Sequence, residues 1–446
     1  MSDRGLRPYE YRLPDAPGHP CEVTRRSTLR TLLAAASLPF IPGASLSQTD
    51  IPTQPFATGA DALAASRFAP LAGKRVGLIT NQTGRVGAEH LADLLHKDAG
   101  CQLTAILAPE HGFRGAAEAG AAVRDGVDTR TGVPIFSLYG ASRKPTQAML
   151  RKVDVLVFDI QDVGARFYTY ISTMGLAMQA AAAARLPFHV LDRPNPLGGE
   201  YVSGFMLEPA LRSFVGQYPI PIVHGMTVGE LARMIKGEKW LDGLDALDLT
   251  VTSMQGWRRP MRWPQTGRAW VTTSPNIPTF DAALVYPGIG MVGELDVNEG
   301  RGTPTPFGLF GAPWLDARRM TAELNALALP GVSFAQATFT PRSIPDVASK
   351  PRFAGTRIGG VRVVVTDVGK VEPLEIGIHV LAGLVREARA KNVAGLFPNM
   401  RMFHAIAGTR RLHSMLAGAS RGAAIVAAWQ DEVARFREQR TRYLIY

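Results

Sequence analysis

The groups able to do chemistry fall into short clusters. Glu110 and His111 sit side by side between Pro109 and Gly112. Asp159, Gln161, Asp162, Arg166, Tyr168 and Tyr170 crowd into twelve residues, and Asp192, Arg193 and Asn195 share a turn with Pro194 and Pro196. Two converging carboxyls supply the acid and the nucleophile or base of glycoside hydrolysis. A carboxyl at a partly buried strand end can have its pKa raised, as general-acid work near neutral pH requires, and this makes Glu110 the expected acid. His111, Asp159, Asp162 and Tyr168 are expected to orient it, to stabilise oxocarbenium-like charge or to activate water. Planar hydrogen-bonding groups and aromatic faces grip sugars, and guanidinium groups such as Arg166, Arg193 and Arg301 can take an anionic substituent bidentately. Each cluster also has a structural reading. Glu110 can cap a helix or pair with Arg114, Asp162 and Arg166 can form an i, i+4 pair with the tyrosines in the core, and Asp192 and Asn195 can simply hold a turn. In the second half, the Gly/Pro-shaped loops that carry Asn276, and Glu299 with Arg301, can close over a crevice or be loops only.

The elements that must position these groups are legible as apolar runs. Runs at 76–80, 103–108, 134–138, 153–158 and 188–191 end respectively at Asn81, Glu110, Tyr139, Asp159 and Asp192. Short apolar runs separated by helical stretches read as buried parallel strands. In open α/β sheets, ligands bind outside the carboxyl ends of the strands. The fold class is therefore α/β, with a Rossmann-like parallel sheet over 67–245. Helices are expected at 60–67, 88–97, 146–152, 173–185 and 227–236, the last capped by Thr227. From Trp240 the texture becomes rich in tryptophan and proline, so a boundary is placed at 245/246 and a smaller α/β domain at 246–446. That domain is expected to hold helices at 316–328, 376–390 and 423–440 and a strand at 360–366.

Two tempting motifs fail on context. Gly288, Gly290 and Gly293 match the dinucleotide fingerprint, but no strand precedes them and no helix-like pattern comes after. Gly418, Ser420 and Gly422 match a nucleophile elbow, but 412–417 reads as helical and Ser420 as the N-cap of the last helix. With no HExxH, CxxC or close His pair, neither a metal nor a cofactor is expected. Charged residues make up 20% and apolar residues 46%, which excludes a disordered chain. The net charge of +11 is spread without blocks, so it favours an anionic partner while pointing to neither nucleic acid nor membrane.

The N-terminus narrows the compartment. Arg25 and Arg26 precede a short apolar stretch, 32–42, and then small residues to Ser47. This is the pattern of a signal peptide of the twin-arginine route over 1–47, followed by a linker and first helix over 48–66. The apolar stretch, broken by Pro39 and Pro42, is too short to cross about 30 Å of hydrocarbon, so no membrane anchor is expected. Export implies a periplasmic or secreted protein. Cys101 is then the sole cysteine of the mature chain and reads as a buried small hydrophobe.

Taken in order, the clusters resemble the exo-β-N-acetylmuramidases of the NamZ type, long catalogued as a domain of unknown function. The matching stretches are 77–81, 109–113, 159–170, 191–199, 274–279, 286–288 and 299–303, and the likeness runs from about Phe68 to Tyr446. The resemblance implies a Rossmann-like domain with the active cleft between it and a smaller α/β domain. It implies release of N-acetylmuramic acid from the non-reducing end of peptidoglycan fragments. Its acidic strand-end motif falls on Glu110 and His111, and its tyrosine-bearing loop on 159–170. One departure stands out: where the family has a Glu-Gly-Thr-Asn-like stretch, this chain reads Glu294, Leu295, Asp296, Val297 and Asn298. The competing reading is a two-lobed protein that binds a sugar or muropeptide without cleaving it. The sequence leaves the oligomeric state and the stereochemical course open.

Overall fold

The computed structural model describes residues 55–115 and 117–446; the expected signal peptide and most of the linker lie outside them. Seven strands form the main sheet: β1 (Arg75–Thr80), β2 (Gln102–Ala108), β3 (Gly126–Val127), β4 (Pro134–Ser137), β5 (Val155–Asp159), β6 (Phe188–Leu191) and β7 (Leu249–Thr252). Their order is β3-β4-β2-β1-β5-β6-β7, with all but β3 parallel. The chain builds outward from β1 on one side and then crosses to β5 on the other, so the topological switch lies between β1 and β5. Register brings Ile79 level with Leu107 and Phe158. The polar residues beyond these strands therefore emerge along one edge.

The alternation of side chains explains why these strands read as unbroken apolar runs. Val155 and Val157 face a core with Leu63 of α1 (Gly59–Ala65) and Leu91 and Leu95 of α2 (Leu91–Lys97). Leu156 and Phe158 face the opposite core, where α3 (Tyr170–Ala184) and α4 (Val228–Gly237) pack. Thr227 caps α4 as expected, accepting from Glu230 N.

The second half adds α5 (Phe280–Val292), α6 (Ala317–Asn325) and α7 (Pro373–Ala390). They join an antiparallel sheet of β8 (Leu309–Ala312), β9 (Val332–Phe339) and β10 (Ile358–Val365), in the order β8-β10-β9. One continuous core runs from Phe158 and Met174 through Leu284 to Phe310 and Leu381.

Several expectations change. The boundary expected at 245/246 falls just ahead of β7, which pairs with β6; β7 is only half-buried and so carries no apolar signature. The glycines of the dinucleotide-like motif lie within or just after α5, a helix not expected from the sequence. Its apolar residues surround it, leaving no polar face to mark a helical period. Gly288 instead allows α5 to meet α7: a Cβ built there would lie 2.0 Å from Pro373 O. The helix expected at 423–440 is two, α10 (Gly422–Ala427) and α11 (Gln430–Arg440), after α8 (Met400–Ala407) and α9 (Arg411–Ala417). The cap position of α10 is Arg421 rather than Ser420. Cys101 is half-buried rather than fully buried.

Candidate active site

The site begins where β2 stops. Pro109 ends the strand, and His111 and Gly112 come next at φ 71° and 78°, two successive left-handed residues. Such a conformation is unfavourable for a non-glycine residue and is found preferentially at functional turns. The turn sets Glu110 against the connection between β5 and α3. Its Oε1 accepts from Gly120 N at 2.9 Å and its Oε2 from Thr169 Oγ1 at 2.7 Å. Arg114 pairs with Asp128 instead. His111 Nδ1 lies 2.8 Å from Ala117 O, so that nitrogen carries the hydrogen and Nε2 is left as an acceptor. Burial pulls the His111 pKa down against the opposing charge of Glu110, which keeps the ring neutral.

Around Glu110 and His111 lies a cleft of about 280 Å³. One wall is aromatic: Tyr168 meets Tyr170 edge to face at 4.9 Å and Tyr286 at 5.7 Å. Tyr170 is held by donating to Thr273 O at 2.6 Å. Asn276 is held by Val347 O at 2.6 Å. Arg301 pairs with Glu299 (Nε to Oε1, 3.0 Å) and keeps about 40% of its side chain exposed, so its remaining donors are the cleft's open cation. Tyr139 also lines the cleft; burial and then the nearby Glu110 push its phenol up to about 12.

Of the residues expected from the sequence, Glu110, His111, Tyr168, Tyr170, Asn276 and Arg301 are brought together here. The others do not line this cleft. Arg166, expected to meet an anion, is fully buried; its Nη atoms donate to the carbonyls of Phe205, Ile220, Ile406 and Ala407. Burial without a counter-charge pulls it down to about 9. Asp159 and Arg193 form a buried bidentate pair at 2.6 and 2.9 Å. Asp192 takes four hydrogen bonds, from Arg193 N, Gly229 N, Thr227 Oγ1 and Tyr446 Oη. Asn195 bonds Met226 O and Leu197 N and packs on Gly164, where any Cβ would collide with its amide. Asp162 accepts from Gly164 N, and burial pushes it up to about 7. Asn81 Oδ1 binds Thr83, while Glu299 holds Arg301.

Gln161 and Arg193 line a separate cavity of about 490 Å³ over the β1/β5 switch, with Trp263 and Trp270. Sequence reasoning missed Tyr139, Thr169, Ser274, Tyr286 and Glu294, all on the cleft wall. Tyr139 ends an apolar run and was within reach of the strand-end rule. Glu294 lies just beyond an unrecognised helix, in a stretch that stood out only as a departure from the family pattern.

Two family models cover most of the chain: the N-terminal domain of exo-β-N-acetylmuramidase NamZ over residues 76–281 and its C-terminal domain over 284–446. The chain belongs to the NamZ family. The NamZ peptidoglycan β-N-acetylmuramidase of Bacillus subtilis (strain 168) is 41% identical over 396 residues, covering 87% of this chain and 91% of that protein. Two crystal structures of DUF1343-family proteins from Bacteroides fragilis superpose with TM-scores of 0.79 and 0.71, at 38% and 35% identity. Each comparison covers 88% of this chain and 99% of the other. The two NamZ models meet within the first turns of α5, so one continuous helix joins the two family segments.

Proposed function

We propose that this chain is an exo-acting glycoside hydrolase that releases N-acetylmuramic acid from the non-reducing end of peptidoglycan fragments. The observation that carries the reading is the placement of Glu110. In a chain of the NamZ family, it is the strand-end carboxyl that reaches a cleft rather than a buried ion pair. The aromatic wall suits a pyranose face, and Arg301 is suited to the lactyl carboxylate that distinguishes muramic acid from glucosamine. The pattern at residues 1–47 supports export by the twin-arginine route, to the periplasm or beyond, where peptidoglycan lies.

The test is release of N-acetylmuramic acid from a muramyl-glucosamine disaccharide and from a chromogenic β-muramide. Wild type is expected to cleave both, and Glu110→Gln to bind without cleaving. If wild type binds muramides but cleaves neither, the chain is a sugar-binding protein instead.

A further inference from the structure

One carboxyl on the cleft wall has no structural task. Glu294 lies two residues beyond α5 and is half-buried. Among the described residues it accepts no hydrogen bond and lies within ion-pair distance of no cation. The charged groups that face it are Glu299, Arg301 and Arg352. Arg301 is engaged by Glu299, and Arg352 by Asp296 at 3.4 Å. A carboxyl half out of water and without donors is costly in its charged form. Burial, reinforced by Glu299, accordingly pushes Glu294 up to about 7.

Glu110 differs in its partners: a backbone N–H and a hydroxyl are directed at its two oxygens. One carboxyl with no donor and another held by two, on the same cleft, form the kind of unequal pair by which a site divides acid and base roles. Both lie on one cleft, and the charge of Arg301 reaches both Glu294 and His111, the neighbour of Glu110.

Building on the hydrolase reading, we infer that Glu294 protonates the departing glycosidic oxygen while Glu110 acts as the carboxylate. This exchanges the role that sequence alone gave Glu110. The C1–O bond breaks with its electron pair leaving on oxygen, which takes the Glu294 proton, while the Glu110 carboxylate meets the positive charge at C1. Water then bonds to C1 through its oxygen, keeps one hydrogen in the new hydroxyl and returns the other as a proton to Glu294.

The test compares two leaving groups. A muramyl-glucosamine disaccharide needs its oxygen protonated, whereas a 2,4-dinitrophenyl β-muramide does not. Glu294→Gln is expected to lose about 10²–10⁴-fold in kcat/KM on the disaccharide and less than about tenfold in kcat/KM on the aryl muramide, whose cleavage needs no proton on the leaving oxygen. Glu110→Gln is expected to lose heavily on both. On the disaccharide, wild-type kcat/KM should fall above about pH 7, and in Glu294→Gln that limb should be absent on the aryl substrate. The melting temperature of Glu294→Gln should match wild type, since no partner is lost. The assignment is overturned if Glu294→Gln cleaves the disaccharide within tenfold of wild type. It is also overturned if Glu110→Gln shows the leaving-group-dependent loss instead. Absence of cleavage of either substrate by wild type would instead sink the hydrolase reading itself.

Discussion

At the ends of β5 and β6, Asp159 is clasped by Arg193 and Asp192 by four donors, and both carboxyls are out of contact with water. At the end of β2, Glu110 takes two hydrogen bonds and still reaches the cleft. All three are carboxylic acids at or just beyond strand ends on one edge of the sheet. What differs is how fully the fold has already satisfied each carboxyl. A group whose donors are all supplied from within can meet a substrate only by breaking its own network. One with capacity to spare can exchange a contact as the reaction proceeds.

That contrast can be broken by experiment, most sharply at Glu110. Glu110→Gln should cost about 10²–10⁴-fold in kcat with little change in the urea unfolding midpoint. A large loss of stability with activity retained would place Glu110 with the structural acids. On the other side, Arg193→Met should destabilise by about 3–5 kcal/mol, because it leaves the Asp159 charge buried and alone. Kinetics of the folded fraction should remain near wild type, and a selective loss of kcat would bring the pair into the mechanism.

Asp162 sharpens the comparison through pH. Its folded pKa, near 7, lies above its unfolded value, so the folded state binds the extra proton. The stability this contributes is full below about pH 4 and is lost as pH rises towards 7. Asp162→Asn should flatten that part of the stability profile, with a difference from wild type of about 1–3 kcal/mol by pH 8. Equal slopes from pH 4 to 8 would show that Asp162 is ionised in the fold. The smallest effect is expected at Arg301. Arg301→Ala should raise KM about tenfold for a muramide, roughly 1.4 kcal/mol, and leave a matching glucosaminide unaffected. An equal rise for both would remove the lactyl carboxylate as its partner.

The strands and the edge they share were legible because strands buried on both faces need apolar residues throughout. Glu110 and His111 were legible as the polar residues that terminate such a run. Which charged groups were already satisfied was not, because the partners are remote in sequence: Tyr446 for Asp192, and Ala407 for Arg166. Glu294 was hidden for a related reason. The helix that delivers it is apolar all round, and its open state is defined by the absence of partners, which leaves no mark in the chain.

The contact of Gly288 with Gly377 bears on how such a protein can change over generations. A Cβ on either residue would overlap the backbone of the other. Gly288 and Gly377 lie on different helices but in the same family segment, 284–446. A second half grafted from a relative would bring its own matched pair, so the crossing survives when the segment moves as a whole. Drift at one glycine must wait on the other.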